Sequence, residues 1–260
     1  VMKYVLKQLE SAHESFYFLN AILFIFQFDA QKSSIYLDDL IPILERMLNN
    51  VSGADSVFHI IRSITLLVEI KILPYALTIV QILKPYLAPS NFNLLALKAL
   101  SALIFVLRSS FQPISSNIFS SMLDLMSNKP SKSDYDSHLY FLQILTHLVI
   151  FCSCSQRLFF KQIQKFATSQ NLICSNALNF LSQVLYHTPS EELYLPSIRL
   201  AMSLVNNSTI QIHHSVSNLL AILGQKCPIY IPKDIDISKM EFDFNCCEVT
   251  SDPFPQLQKP

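Results

Sequence analysis

The residues of this sequence that could do chemistry are spread along the chain and form no recognised motif. Six cysteines are present, but no two have the Cys-x-x-Cys spacing of a zinc ribbon. The vicinal thiols Cys246-Cys247 and the imidazoles His213-His214 are the pairs that could bind a soft metal. Neighbouring residues of a helix point about 100° apart, so the two imidazoles would chelate one ion poorly. We predict no metal site and no cofactor.

Acidic pairs are the next candidates for catalysis. Asp38-Asp39 and Glu191-Glu192 stand beside predicted helix starts, where the helix dipole alone accounts for carboxylates. Serine, histidine and aspartate are plentiful, but repeat helices lack the strained turns that activate a nucleophile. We therefore predict that the chain is not an enzyme and has no small-molecule substrate.

Glycine is scarce, with 2 residues, Gly53 and Gly224, in 260. Glycine lets the backbone adopt positive φ in tight turns and approach phosphate groups closely. Phosphate-binding loops and the nucleophile elbow of hydrolases are absent from the sequence. Hairpin turns of β-sheet proteins also need glycine. The composition excludes conventional nucleotide enzymes and favours helices.

The surface of this protein must be weakly charged. Hydrophobic residues make up 51% and charged residues 15% of the chain, and the net charge is +0, so no long-range field attracts nucleic acid or an anionic membrane. The most apolar windows, Phe16–Phe28 and Ala99–Leu107, are shorter than the ~20 residues of a membrane helix. The longer stretch Ile60–Leu83 contains charged residues and a proline. We predict no membrane span.

Internal repeats determine the predicted fold. Six helical windows place apolar residues every three positions, and their first members, at 19, 61, 97, 142, 178 and 216, lie 36 to 45 residues apart. A second helix precedes most windows, and its start is marked by a proline. These prolines are Pro42, Pro74, Pro113 and Pro196. In the repeat that lacks one, the helix is predicted at Gln156–Thr168. The residues that stand where helix N-caps are expected are Ser90, Asp134 and Ser208.

Two stretches carry a family resemblance. IHHSVSNLLAILGQK at Ile212–Lys226 and LLALKALSALIFVL at Leu94–Leu107 resemble the second helix of a HEAT repeat. The chain thus resembles the armadillo/HEAT-type α-solenoids. The resemblance implies an all-α, right-handed solenoid of about six two-helix repeats over residues 1–226, and a role in binding macromolecules.

The pattern changes at Cys227. Residues 227–260 contain five prolines and no helical period, which predicts an extended, partly disordered tail. Ile229–Ile231 and Ile235–Ile237 alternate like short extended pieces. Asp252-Pro253-Phe254 resembles the short motif that binds clathrin-adaptor appendage domains.

A polar column is predicted along the second helices. Residues three apart share a helix face, and stacked helices would align such faces into a ladder that, by the family resemblance, holds an extended partner. A solvated face without a partner is the alternative interpretation. The predicted partner-binding residues are Asn20, Arg62, Thr65, Lys98, Ser101, Gln143, Thr146, Asn179, Ser182 and Ser217.

These features predict a non-catalytic scaffold or adaptor that binds a protein partner as a subunit of a hetero-complex. The cysteines and the lack of a secretory signal favour the cytoplasm or nucleus. The alternatives are a vesicle-coat or nuclear-transport adaptor and, with less support, a nucleic-acid-binding solenoid, since its basic stripe would stop after Arg62 and Lys98. The apolarity further predicts that another subunit covers the outer face near Phe159-Phe160, or near Phe18 and Phe24.

Overall fold

The computed structural model describes residues 1–11, 16–48, 53–127, 135–168, 171–205, 209–231 and 247–253. Over these residues the chain is all-α, with ten continuous helical runs of ten residues or more. The α-helices are α1 (Met2–Ser11), α2 (Phe16–Phe28), α3 (Ala30–Ser33), α4 (Leu37–Leu48), α5 (Ala54–Val68), α6 (Ala76–Leu83), α7 (Leu94–Leu107), α8 (Gln112–Ser127), α9 (Tyr135–Cys152), α10 (Gln156–Ala167), α11 (Asn171–His187), α12 (Glu191–Val205) and α13 (Ile210–Lys226).

Six helices pack against one another in chain order. Helix α2 contacts α5, α5 contacts α7, and the series continues through α9 and α11 to α13. All six predicted apolar windows lie in these helices, and the first members of the windows are buried. The prediction of an all-helical chain with neighbouring helices packed together is therefore confirmed.

The remaining long helices each pack on the helix that follows them. The contacting pairs are α1 with α2, α4 with α5, α6 with α7, α8 with α9, α10 with α11 and α12 with α13. Helix α10 covers Gln156–Ala167, which confirms the helix predicted where no proline marked a start. The buried apolar side chains form one cluster that extends from Met2 in α1 to Ile231 after α13 and also includes Cys247. An amphipathic helix pair thus buries its apolar side against the next pair.

The prolines mark helix starts less well than the sequence suggested. Pro113 is the second residue of α8, as predicted, and Pro74 is the penultimate residue of the 3-10 helix Glu69–Tyr75 that directly precedes α6. Pro42 and Pro196 lie inside α4 and α12, so the prediction is wrong for both. Acidic residues occupy the first turns of these two helices, where they complement the helix dipole and move the start upstream of the proline.

Helix capping also differs at one predicted position. Ser90 lies in a 3-10 turn, and Asn93 caps α7 instead, because its side chain accepts hydrogen bonds from the backbone N–H groups of Leu95 and Ala96. The other predicted caps, Asp134 and Ser208, lie outside the described residues.

Three of the stacked helices end at a residue with positive φ. Glu69 (φ 51°), Arg108 (φ 46°) and Ser153 (φ 53°) directly follow α5, α7 and α9. The backbone N–H groups of Glu69 and Arg108 close their helices on Thr65 and Ile104. Glycine usually occupies such positions, since a side chain there costs of order 1–3 kcal/mol. Backbone strain therefore recurs at the turns that follow α5, α7 and α9.

Two helical stretches are long and apolar enough to cross a membrane by length and composition. They are Ala54–Leu87 and Leu94–Ser127, and 39% and 56% of their most apolar windows are buried inside the protein. Buried core helices meet the same two criteria. The strained residues Glu69 and Arg108 interrupt the α-helical backbone of the two stretches.

The predicted apolar outer face is only partly present. Phe159 and Phe160 are buried in the core, because α10 packs on α11 as well as on α9, so the prediction is wrong for this pair. Phe18 is half-buried, and Phe24 on α2 is 69% exposed.

Part of the predicted tail contacts the helices. Pro228–Tyr230 forms a 3-10 turn instead of the expected extended piece, since its backbone closes on itself from Ile231 to Pro228. Ile235–Ile237 lies outside the described residues. The segment 247–253 lies against the helices again, with the Cys247 side chain buried.

The strained helix end at Glu69 gives the first prediction. We expect Glu69→Gly to raise the free energy of unfolding by about 1 kcal/mol, because glycine adopts this φ without a steric cost. Glu69→Ala is the matched control, since it removes the same side chain but keeps Cβ. Chemical denaturation of both variants measures the difference, and equal stability of the two would contradict the assignment of strain.

Candidate binding surface

A polar strip on the stacked helices carries the segment 247–253. The segment contacts α11 with its first residues, α9 with its middle and α5 with its end. The chain therefore runs back across the helices in the direction opposite to their order. We define the polar strip by the side chains that contact the segment: Arg62, Tyr140, Gln143, His147, Gln183 and His187.

Three strip side chains bind backbone carbonyl groups of the segment. His187 Nε2 lies 2.8 Å from the Cys247 oxygen, Gln183 Nε2 donates to the Glu248 oxygen at 3.1 Å, and Gln143 Nε2 donates to the Thr250 oxygen at 2.9 Å. The Glu248 and Thr250 side chains remain exposed. Here the strip binds the main chain of the segment.

The Asp252 carboxylate anchors the end of the segment. Tyr140 donates a hydrogen bond to one carboxylate oxygen at 3.1 Å, and Arg62 Nη2 lies 3.4 Å from the other. The side chains of Arg62 and Asp252 are 24% and 33% exposed, so water screens this pair only in part. Burial, reinforced by the Asp252 charge, raises the pKa of Tyr140, which stays a hydrogen-bond donor at neutral pH.

A second cation lies beside this anchor. The Lys98 ammonium is 5.2 Å from the centre of the Tyr140 ring, within the range of a cation–π contact. Arg62 and Lys98 therefore make the carboxylate site locally positive in a chain with no net charge.

Behind the strip, a buried hydrogen-bond chain fixes the central glutamine. Ser101 on α7 donates to Gln143 Oε1 at 2.8 Å, and the Gln143 amide donates onward to the segment. Both side chains are buried. A buried amide whose oxygen is already taken has a fixed orientation, so its N–H groups point at the segment before binding.

His147 lies fully buried under the same part of the segment. Its ring packs between Phe105 and Phe151, with centroid distances of 5.8 Å and 5.6 Å. Burial lowers the pKa of His147 to about 3, and its hydrogen bond with the Thr250 backbone opposes this only partly. The imidazole is therefore neutral at physiological pH.

Four of the predicted column residues belong to this surface. Arg62 and Gln143 contact the segment, Ser101 orients Gln143, and Lys98 lies over the Tyr140 ring. Residues from α5, α7 and α9 thus lie close together around the segment.

The other six predicted residues make no recorded contact with the segment within the described ranges. Thr146 is buried and bonds to Leu142 of its own helix. Asn20 lines an open pocket of about 290 Å³ between α2 and α5. The remaining four, Thr65, Asn179, Ser182 and Ser217, are buried or half-buried on α5, α11 and α13.

Sequence reasoning missed four strip residues. Tyr140 and His147 flank Gln143 at three and four positions on α9, and Gln183 and His187 are four apart on α11. Such spacings place side chains on one helix face, so the signal was present. The predicted column took one polar position and the residue three after it in every helix. The additional contacts on α9 lie three residues before and four residues after Gln143, and those on α11 lie four and eight residues after Asn179.

Several buried polar atoms on α5, α9 and α11 lack a hydrogen-bond partner among the described residues. They are Arg62 Nε, Thr65 Oγ1, His147 Nδ1, Asn179 Oδ1 and Ser182 Oγ. All five belong to the strip or to the predicted column. A buried polar atom without a partner costs about 1–3 kcal/mol, so the docked segment leaves part of this surface unsatisfied.

The histidine and cysteine pairs that the sequence offered as metal ligands form no metal site in the described part of the chain. No group of three or more His, Cys, Asp and Glu side chains could hold an ion there. His214 instead lies 3.3 Å from Asn218 on its own helix. Cys152 and Cys174 are buried free thiols, and burial raises the pKa of Cys152 to about 11. Cys246 lies outside the described residues.

No protein-family model matches the chain, and comparisons with curated proteins and with solved structures gave no match either. The fold and the site define an all-α chain whose packed helices carry a segment of the same chain on a polar strip.

The buried imidazole gives a prediction on pH. Between pH 3 and about 6.5 the unfolded chain binds a proton at His147 that the folded chain excludes. The free energy of unfolding should therefore fall with falling pH, by about 2 kcal/mol at pH 5 relative to a variant without this group. Denaturation of the wild type and His147→Phe at pH 7 and pH 5 measures this loss.

The exposed His59 supplies the control for this experiment. His59→Gln should keep the pH dependence of the wild type. An equal loss of stability in the wild type and His147→Phe would contradict the buried neutral imidazole.

The buried hydrogen-bond chain gives a further prediction. Gln143→Leu should lower the free energy of unfolding by about 2 kcal/mol, because the Ser101 hydroxyl and the Thr250 carbonyl both lose a partner. Ser101→Ala should then cost less in the Gln143→Leu background than alone. Additive losses in this double-mutant cycle would show that the two side chains are not coupled.

Proposed function

We propose that this protein is a non-catalytic scaffold that binds an extended segment of a protein partner along the polar strip. The observation that supports this proposal is that the strip already holds a segment of the chain, residues 247–253, by side-chain bonds to its backbone carbonyl groups. Backbone recognition of this kind is transferable, because every extended peptide presents the same carbonyl groups.

We further propose that the helix pairs form a right-handed α-solenoid of the HEAT or armadillo kind. The contacts of α2, α5, α7, α9, α11 and α13 in chain order support this architecture, as does the pairing of each with its preceding helix. Stacked repeats of this sort present long continuous surfaces to extended partners.

The carboxylate anchor favours a protein partner over nucleic acid. Arg62, one of the two cations in the predicted basic stripe, is paired with Asp252. Phosphate recognition along a strand needs a run of such cations.

We propose that the protein acts in the cytoplasm or nucleus as a subunit of a hetero-complex. The vesicle-coat hypothesis gains no support, since Asp252 of its motif is bound to the strip and Phe254 lies outside the described residues.

The proposed function predicts that partners are lost when the strip is changed. In the variant Arg62→Glu/Gln183→Glu, two carboxylates replace groups that face a carboxylate and a carbonyl oxygen. Like charge and a lost donor should weaken a strip-bound partner about tenfold or more. Affinity purification with quantitative mass spectrometry compares the proteins that the wild type and the variant retain.

A charge-matched control is available on α10. Lys161→Glu/Gln164→Glu makes the same changes of charge at exposed positions of a helix that contributes no residue to the strip. Circular dichroism and thermal unfolding establish that both variants fold. Partners retained by the control but lost from the strip variant would identify the bound proteins, whereas identical partner sets would overturn the proposal.

A further inference from the structure

We propose that residues 247–253 are a built-in competitor for the polar strip, and that the partner displacing them is an extended acidic segment with a carboxylate between Arg62 and Tyr140. This inference rests on the proposed function and adds the chemistry of the partner. The segment thereby serves as a template for the ligand, because it shows which atoms of an extended chain the strip engages.

The main-chain contacts make the occupant replaceable. Gln143, Gln183 and His187 bind carbonyl oxygens of Thr250, Glu248 and Cys247, and the side chains of Glu248 and Thr250 are exposed. These two side chains thus contribute little to recognition. Another extended peptide can make the same bonds whatever residues it carries at the exposed positions.

Selectivity lies at the aspartate. Both oxygens of the Asp252 carboxylate are engaged, one by the Tyr140 hydroxyl and one by Arg62. Lys98 adds positive charge beside the Tyr140 ring. A neutral side chain there would leave a partly buried guanidinium without its counter-ion. The strip therefore requires a carboxylate at this one position.

The fit of the resident segment is incomplete, which leaves room for a better ligand. The Arg62–Asp252 contact is long, at 3.4 Å, and Arg62 Nε has no partner among the described residues. A carboxylate that accepts from both Nε and Nη2 would form the bidentate pair that arginine favours.

The covalent tether explains how a modest fit still occupies the strip. Only fifteen positions, 232–246, separate Ile231 from Cys247 in the chain. Because the segment and the strip belong to one chain, the segment binds intramolecularly and has a high effective concentration at the strip. A free partner must outcompete that concentration, so weak acidic peptides are excluded and better-fitting ones are admitted.

A peptide-binding experiment on the full chain tests this inference. The probe is a fluorescent peptide with the sequence CEVTSDP of residues 247–253, and its matched control is CEVTSNP. We expect the CEVTSDP probe to bind the Asp252→Asn chain several-fold more tightly than the wild type, because the resident competitor is weakened. That chain should also prefer CEVTSDP over CEVTSNP by about tenfold, as expected for a charge-assisted contact.

The Arg62→Gln/Asp252→Asn chain should lose the preference between the two peptides, and Lys161→Gln/Asp252→Asn, changed at an exposed lysine of α10, should keep it. Equal probe affinity of the wild-type and Asp252→Asn chains would overturn the competitor, and equal affinity of the two peptides for the Asp252→Asn chain would overturn the carboxylate requirement. If sedimentation shows that the wild type is a dimer and that the Asp252→Asn chain is a monomer, the segment binds the strip of a second copy instead of its own. If the competitor or the carboxylate requirement is overturned but the Arg62→Glu/Gln183→Glu variant still loses partners, the proposed function stands.

Discussion

Burial of one apolar side of each helix pair against the next is the constraint on which this structure depends. A helix such as α7 has few polar residues, and its core residues Leu97, Leu100 and Leu103 are wholly buried. Its preceding helix cannot cover all of that surface, so α5 and α9 cover the rest. Because every stacked helix is fixed in this way, the polar side chains on its remaining face are also fixed in register with those of its neighbours.

The polar strip follows from that register. Ser101 on α7 and Gln143 on α9 meet at 2.8 Å because the two helices pack side by side. The same packing sets Tyr140 beside Lys98 and, through Asp252, beside Arg62. Recognition of an extended segment therefore needs no loop or cofactor in this site. It uses side chains that a packed, rigid core holds in place.

Much of the fold could be predicted from the sequence, because stacked helices repeat the same apolar spacing. The windows that begin at Leu19 and Leu142, for example, lie in α2 and α9. Proline misplaced two helix starts, since Asp38-Asp39 and Glu191-Glu192 begin those helices earlier. Of the site, the ladder on α5, α7 and α9 was visible. Its occupant was not, because the contact of Arg62 with Asp252 joins residues 190 positions apart and leaves no local pattern.

The docked segment also has a mechanical consequence. It ties α11 at His187 to α9 at Gln143 and to α5 at Arg62, and so spans helices that are joined in series through α7. Each of these helices otherwise packs on its neighbours in that series. The segment adds direct bonds between helices that are two or three places apart, so α5 cannot move away from α11 without breaking hydrogen bonds or the Arg62–Asp252 ion pair. The segment thus acts as a cross-brace that resists separation of the packed helices.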